Sequence, residues 1–168
     1  RSSAASDVYK RQDYTALKQL VGRSVQVKED IVEQDPFEHG IRKALNLGHT
    51  VGHAFESMAL AENRPVLHGY AVAWGIVCEL YLSHLKVGFP KEKMRQTIQF
   101  IKDNYGVFTF DCKKYEQLYA FMTHDKKNTS GTINFTLLKD IGDIRINQIA
   151  DKDTIFEMLD FYRECMGI

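Results

Sequence analysis

Residues 42–85 read RKALNLGHTVGHAFESMALAENRPVLHGYAVAWGIVCELYLSHL, and their spacing decides the fold. Gly48 and Gly52 flank His49 in a run that continues through Phe55, Met58 and Leu60, which predicts a helix with close backbone approach at the glycines. Asn63-Arg64-Pro65 is a turn by composition. From His68 to Leu85 the pattern Val72, Ala73, Ile76, Val77, Leu80 and Tyr81 gives a second, strongly apolar helix that belongs deep in the core. Two helices joined by a short turn form a hairpin, and the hairpin would carry His68 back toward His49 and His53.

The same helical period extends outward. In Tyr14–Val32 the residues Leu17, Leu20, Val21, Val25, Val27, Ile31 and Val32 recur mostly at three- and four-residue spacing, the mark of one buried helical stripe. Asp35-Pro36 interrupts it, because the proline ring disfavours a helical conformation in the preceding residue. A helix through Phe37–Leu45 is expected next. Downstream, Gly88-Phe89-Pro90 closes the apolar helix, and peripheral amphipathic helices are expected over Lys91–Asn104 and Tyr115–Thr123. The period then changes. Thr132–Leu137 alternates polar and apolar residues after the turn Asn128–Gly131, as a half-buried strand does, with Ile144 and Ile146 on its hairpin partner. A last helix spans Asp153–Cys165. The fold class is mainly α: a helical domain with a small β-hairpin, without βαβ alternation and without a GxGxxG fingerprint.

Composition narrows the function. A chain of 168 residues supports one domain with a proper core, not two large ones. Lysine plus arginine (22) balances aspartate plus glutamate (22), so no long-range field draws in nucleic acid or an anionic membrane, and neither is expected as a partner. The apolar run Ala71–Leu82 is interrupted by Glu79 and is shorter than the roughly 20 residues a bilayer span requires. Cys78, Cys112 and Cys165 are odd in number and lack CxxC spacing, which argues against a disulfide framework or a thiolate zinc site and for a cytoplasmic home.

The opening RSSAASDVYKRQ has no apolar periodicity, and DVYKRQ resembles the translation of a transposon adapter. Residues 1–12 are therefore expected to be an adapter or cloning scar, with the protein proper over 13–168 and a segment missing upstream. Without them the charges become 19 positive against 21 negative, which alters none of these inferences.

Histidines carry the chemistry. His49 and His53 stand at i and i+4, so on a helix both rings project from one face and can approach one ion or one substrate. His68, across the turn, is a third donor. Imidazole suits zinc and similar ions, and a catalytic zinc takes three protein ligands while keeping a position open. The plain alternative is three histidines satisfied by ordinary core hydrogen bonds. Arg42 precedes Asn46 by one helical turn, and Asn46 precedes His49 by three residues; a guanidinium fork and an amide suit an oxygen-rich substrate. Lys28 borders an apolar stripe and reads by itself as a solvated lysine. In His124-Asp125-Lys126-Lys127-Asn128 the lysines are either phosphate-binding point charges or a solvated turn.

Taken in order, Arg42, Leu45-Asn46, Gly48-His49-Thr50, Gly52-His53-Ala54, Glu56 and Leu67-His68-Gly69 resemble the signature of the 3-dehydroquinate synthases. The likeness runs over about residues 20–145, through Lys28, Asp35 to Gly40 and Asp125-Lys126-Lys127. It implies the helical, metal-binding C-terminal domain of a two-domain enzyme whose N-terminal domain, absent here, binds NAD. It further implies that His49 and His68 are metal ligands, for zinc or cobalt, and that His53 is a catalytic residue that contacts substrate and moves protons. The spacing by itself pairs His49 with His53 instead. Lys28, Arg42, Asn46 and either Lys126 or Lys127 match substrate-binding positions. The family's third ligand is an upstream glutamate, and no candidate precedes Tyr14. Tyr70 stands where many members carry a glutamate, so no acid role is carried over to it. The implied activity is a carbon–oxygen lyase of the shikimate pathway, which cyclises a seven-carbon phosphorylated keto-deoxy sugar acid to 3-dehydroquinate and releases phosphate. The full-length enzyme would be a cytoplasmic protein and a homodimer. A related sugar-phosphate cyclase, a metal-dependent polyol dehydrogenase and a non-catalytic helical module are the other readings.

Overall fold

Six α-helices and one antiparallel hairpin order the described residues, which in this computed structural model are 14–124 and 132–168. They fall into two units, Arg1–Leu45 and Asn46–Ile168. The stretch expected to be a scar, residues 1–12, lies outside the described residues, as does the turn Asn128–Gly131.

The first unit holds helix α1, Tyr14–Gln34, followed by a turn and all but the last residue of a 3-10 helix, Ile41–Asn46. Two expectations are corrected here. Helix α1 buries none of its residues, and Val21 and Val27 are 54% and 56% exposed, so its apolar stripe is not a buried one. The described residues of this unit, one helix and a short turn, offer no second layer on which to bury a stripe. Nor is Phe37–Leu45 an α-helix. The Asp35 carboxylate accepts the N–H groups of Gly40 (2.7 Å), His39 (3.0 Å) and Arg42 (3.1 Å), and so holds residues 36–40 in a bend until the 3-10 turn begins. An aspartate that gathers successive N–H groups offers the backbone an alternative to helix.

The second unit is built on the predicted hairpin of helices. Helix α2 spans His49–Ala61 and α3 spans His68–Val87. They run antiparallel at a distance only glycine permits. A Cβ on Gly75 would lie 2.0 Å from the Gly48 carbonyl oxygen, and one on Gly52 would lie 3.0 Å from the Ala71 carbonyl oxygen. Gly48 itself has φ +79°, a left-handed start to α2 that other residues resist. The turn is pinned by Arg64, whose backbone N–H donates to the Ala59 carbonyl at 2.9 Å, while its guanidinium donates to the Thr109 carbonyl at 2.7 Å and lies over the Phe108 ring.

Around this pair the core closes with α4 (Lys91–Tyr105), α5 (Tyr115–Thr123), strands β1 (Asn134–Asp140) and β2 (Asp143–Ile149), and α6 (Lys152–Met166). Val51, Phe55, Met58, Val77, Leu82, Leu118, Met122, Leu137, Ile155 and Leu159 are fully buried in it, and each large side chain contributes roughly 1.5–3 kcal/mol relative to exposure. Helix α5 is less peripheral than its sequence implies, since Leu118 and Met122 are buried and the helix packs against α2. Tyr162 on α6 both accepts from the Phe108 N–H (3.0 Å) and donates to its carbonyl (3.2 Å), tying the last helix to the segment after α4. The expected hairpin is present, with Leu137 paired with Arg145 and Leu138 with Ile144. Thr136 is nevertheless buried, because β1 packs against α3, and the Ser83 hydroxyl accepts the Leu138 N–H at 3.0 Å. No helix among the described residues is long and apolar enough to cross a membrane.

Candidate metal centre

His49 opens α2, His53 follows one turn later on the same face, and His68 opens α3. The antiparallel register sets His68 beside the middle of α2, so all three rings meet. Their centroids are 5.3 Å apart for His49 and His68, 5.6 Å for His49 and His53, and 5.6 Å for His53 and His68. Two imidazoles sharing one tetrahedral ion through Nε2 have centroids roughly 5 Å apart. The trio is on that scale, and separation alone does not choose the ligand pair.

Two of the three have an oxygen acceptor beside Nδ1. His49 Nδ1 lies 3.1 Å from the Leu47 carbonyl oxygen, and His68 Nδ1 lies 3.1 Å from Oε2 of Glu56. A carbonyl and a carboxylate accept, which in both rings favours the tautomer with the hydrogen on Nδ1. Metal-binding histidines characteristically have their second nitrogen held in this way. Imidazole nitrogens are donors of the kind that suit a borderline divalent cation. Among the described residues, no group of three or more His, Cys, Asp or Glu side chains is arranged so that it could hold a metal ion by itself. Cys78 offers no thiolate to it, since burial pushes its pKa well up.

The remaining candidates are placed less fully. Asn46 ends the 3-10 helix two residues before Gly48 and is half-buried. Within the first unit, Lys28 is exposed on α1, and Arg42 donates from Nη1 to the Pro36 carbonyl at 2.6 Å. Hydrogen bonds from the Gly40, His39 and Arg42 amides hold the Asp35 carboxyl below the usual carboxylate range. Lys126 and Lys127 lie outside the described residues.

Two residues escaped the reading of the sequence. Glu56 belongs to the motif but received no role, although it stands three residues after His53 and so shares the histidine face. Glu79 figured only as a break in an apolar run. In the structure it is fully buried, and its Oε2 accepts the Gly48 N–H at 2.6 Å. A lone carboxylate in the middle of an otherwise apolar helix was the available signal.

A family model described as 3-dehydroquinate synthase C-terminal matches residues 2–128. The 3-dehydroquinate synthase of Parabacteroides distasonis is 62% identical over 156 residues, covering 93% of this chain and 44% of that protein. That of Leptospira interrogans is 44% identical over 140 residues, covering 80% and 38%. The chain thus spans less than half the length of these curated relatives. A crystal structure of 2-deoxy-scyllo-inosose synthase, complexed with carbaglucose-6-phosphate, NAD+ and Co2+, matches with a TM-score of 0.70 over 89% of this chain and 41% of that one. At 20% identity this shows a common fold.

Proposed function

This chain belongs to the 3-dehydroquinate synthase C-terminal family, and from that premise we propose that it forms the metal- and substrate-binding half of a 3-dehydroquinate synthase. The enzyme converts 3-deoxy-D-arabino-heptulosonate 7-phosphate to 3-dehydroquinate and phosphate, with NAD reduced and reoxidised within one turnover and held mainly by an N-terminal domain that residues 13–168 do not include. One observation supports this reading: the rings of His49 and His68 come together across the helical hairpin, 5.3 Å apart, each with an oxygen acceptor beside its Nδ1.

In this reading His49 and His68 are two ligands of a divalent ion, zinc or cobalt, and a glutamate from outside the chain completes the set. When bound there, the ion would supply Lewis acidity toward substrate oxygens. His53, one turn from His49 and with its ring beside both ligands, faces the substrate and moves a proton at neutral pH. Arg42 neutralises the substrate carboxylate through its planar fork, and Asn46 serves as donor and acceptor to hydroxyls. Lys28 and one of Lys126 and Lys127 balance the phosphate. Elimination of phosphate, ring opening and aldol closure then depend mostly on positioning. The enzyme acts in the cytoplasm as a homodimer. The lysine pair favours a phosphorylated acid over the plain polyol of a dehydrogenase.

The full-length gene product, assayed for phosphate release from the heptulosonate phosphate with NAD and cobalt, is expected to turn over. Failure to release phosphate from this substrate while binding cobalt through His49 and His68 would transfer the assignment to another cyclase. Absence of zinc and cobalt binding would overturn the metal reading altogether.

A further inference from the structure

Of the described residues, Glu79 is the one charged side chain that is fully buried. It sits one turn beyond Gly75, the residue that lets α3 touch the start of α2. There its two oxygens reach into the first turn of α2. Oε2 accepts the Gly48 N–H at 2.6 Å, and Oε1 accepts the Val51 N–H at 3.3 Å.

A helix leaves its first N–H groups without partners inside the helix, and a side chain at the N-cap usually serves them. Here that position is Gly48, which has no side chain to offer. The cap therefore comes from the other helix. Stability alone does not call for a carboxylate at this depth, since charge is among the costliest things to bury. Its placement is specific: the two amides it holds bracket His49, and it projects from the same helix that begins with His68.

We propose that Glu79 is the positioning residue of the metal centre: by fixing the first turn of α2 against α3, it sets where His49 stands relative to His68. The proposal rests on the reading of those histidines as ligands. A merely structural carboxylate would affect stability and leave the ion's affinity and coordination unchanged. A positioning one affects both.

The test is cobalt titration of the full-length protein, followed by the ion's visible d–d absorption, with far-UV circular dichroism and thermal melts alongside. Glu79→Gln keeps the shape but turns an amide donor toward one of the two N–H groups. It is expected to weaken cobalt binding by about tenfold to a hundredfold, the range seen when groups supporting metal ligands are lost, and to alter the d–d band. Glu79→Asp, which keeps the charge but shortens the reach, should fall between the parent and Glu79→Gln. Ser83→Ala is the structural control, because that hydroxyl bridges the Glu79 carbonyl (2.6 Å) to the Leu138 N–H and touches neither histidine. It should lower the melting temperature while leaving cobalt affinity close to that of the parent. Parental affinity and spectrum in a folded Glu79→Gln protein would overturn the proposal, as would equal weakening by Ser83→Ala. Should Glu79→Gln not fold, Glu79→Asp decides by the same criterion. A parent protein that takes up no cobalt overturns the metal reading and this proposal with it, an outcome distinct from a cobalt-binding parent whose Glu79 variants are indifferent.

Discussion

The imidazole of His68, which opens α3, is oriented by a residue of the other helix: Oε2 of Glu56 on α2 lies 3.1 Å from its Nδ1. The pair is partly open to solvent, with side-chain exposures of 53% and 31%, and exposed pairs contribute about 0–1 kcal/mol to stability. Its importance to ion binding should be larger. Glu56→Ala is expected to weaken zinc or cobalt binding by about tenfold while the melting temperature barely moves. Chelator competition and a thermal melt on the same preparation separate the two effects. Loss of stability with unchanged affinity would reduce Glu56 to a surface partner.

Gly75 is the contact on which the hairpin of helices depends. A methyl group there would stand 2.0 Å from the Gly48 carbonyl oxygen and 2.7 Å from the Gly52 nitrogen. Both are backbone atoms, so no side chain can rotate away. Gly75→Ala should force α2 and α3 apart at a cost of about 3 kcal/mol or more. Gly69→Ala, also in α3 but with no atom within 4 Å of the added carbon, should stabilise by roughly 0.4–1 kcal/mol. Urea denaturation of both variants reads the contrast directly. Comparable midpoints would mean that the close crossing does not hold the fold.

How far the sequence reveals this molecule follows the range of the interactions involved. The hairpin of helices, its turn at Asn63-Arg64-Pro65 and the strand pair were legible because hydrophobic period and turn composition are local properties. So was the gathering of His49, His53 and His68, which needs only a helical face and a return. The Asp35 bend was not legible, since its carboxylate acts on amides four to seven residues ahead and overrides a pattern that otherwise continues. Burial of the α1 stripe failed for the opposite reason: period reports which face is apolar, not whether anything covers it. Glu56 and Glu79 act across a helix pair, through contacts 12 and 31 residues apart in the chain, and no window of local sequence contains both ends of either.

The Asp35 bend should also have a sharp acid limit. Hydrogen bonds from Gly40, His39 and Arg42 lower the pKa of Asp35 in the folded chain relative to its ordinary value. A depressed folded value means that the carboxylate stabilises the bend above the ordinary, unfolded pKa and loses that contribution as pH falls through the folded one. Protection of the Gly40 amide from hydrogen exchange should therefore persist through mildly acid conditions and disappear below the usual carboxylate range. In Asp35→Ala it should be weak at every pH. Protection that ignores both the acid and the substitution would show that the bend is held by something else.

Which histidines hold the ion can be separated by substitution, because the competing pairings predict opposite results. Helical spacing pairs His49 with His53, and their rings are 5.6 Å apart, hardly farther than the 5.3 Å between His49 and His68. Leu47 lies beside the outer nitrogen of His49 and Glu56 beside that of His68. If those anchors mark the ligands, His49→Ala and His68→Ala should abolish cobalt uptake by the full-length protein. His53→Ala should then keep the ion and lose activity by about a hundredfold to ten-thousandfold, the contribution of a positioned proton-transfer group. A His53→Ala protein that cannot take up cobalt, beside a His68→Ala protein that can, would restore the pairing of His49 with His53. The proton transfer would then have to be assigned to another side chain.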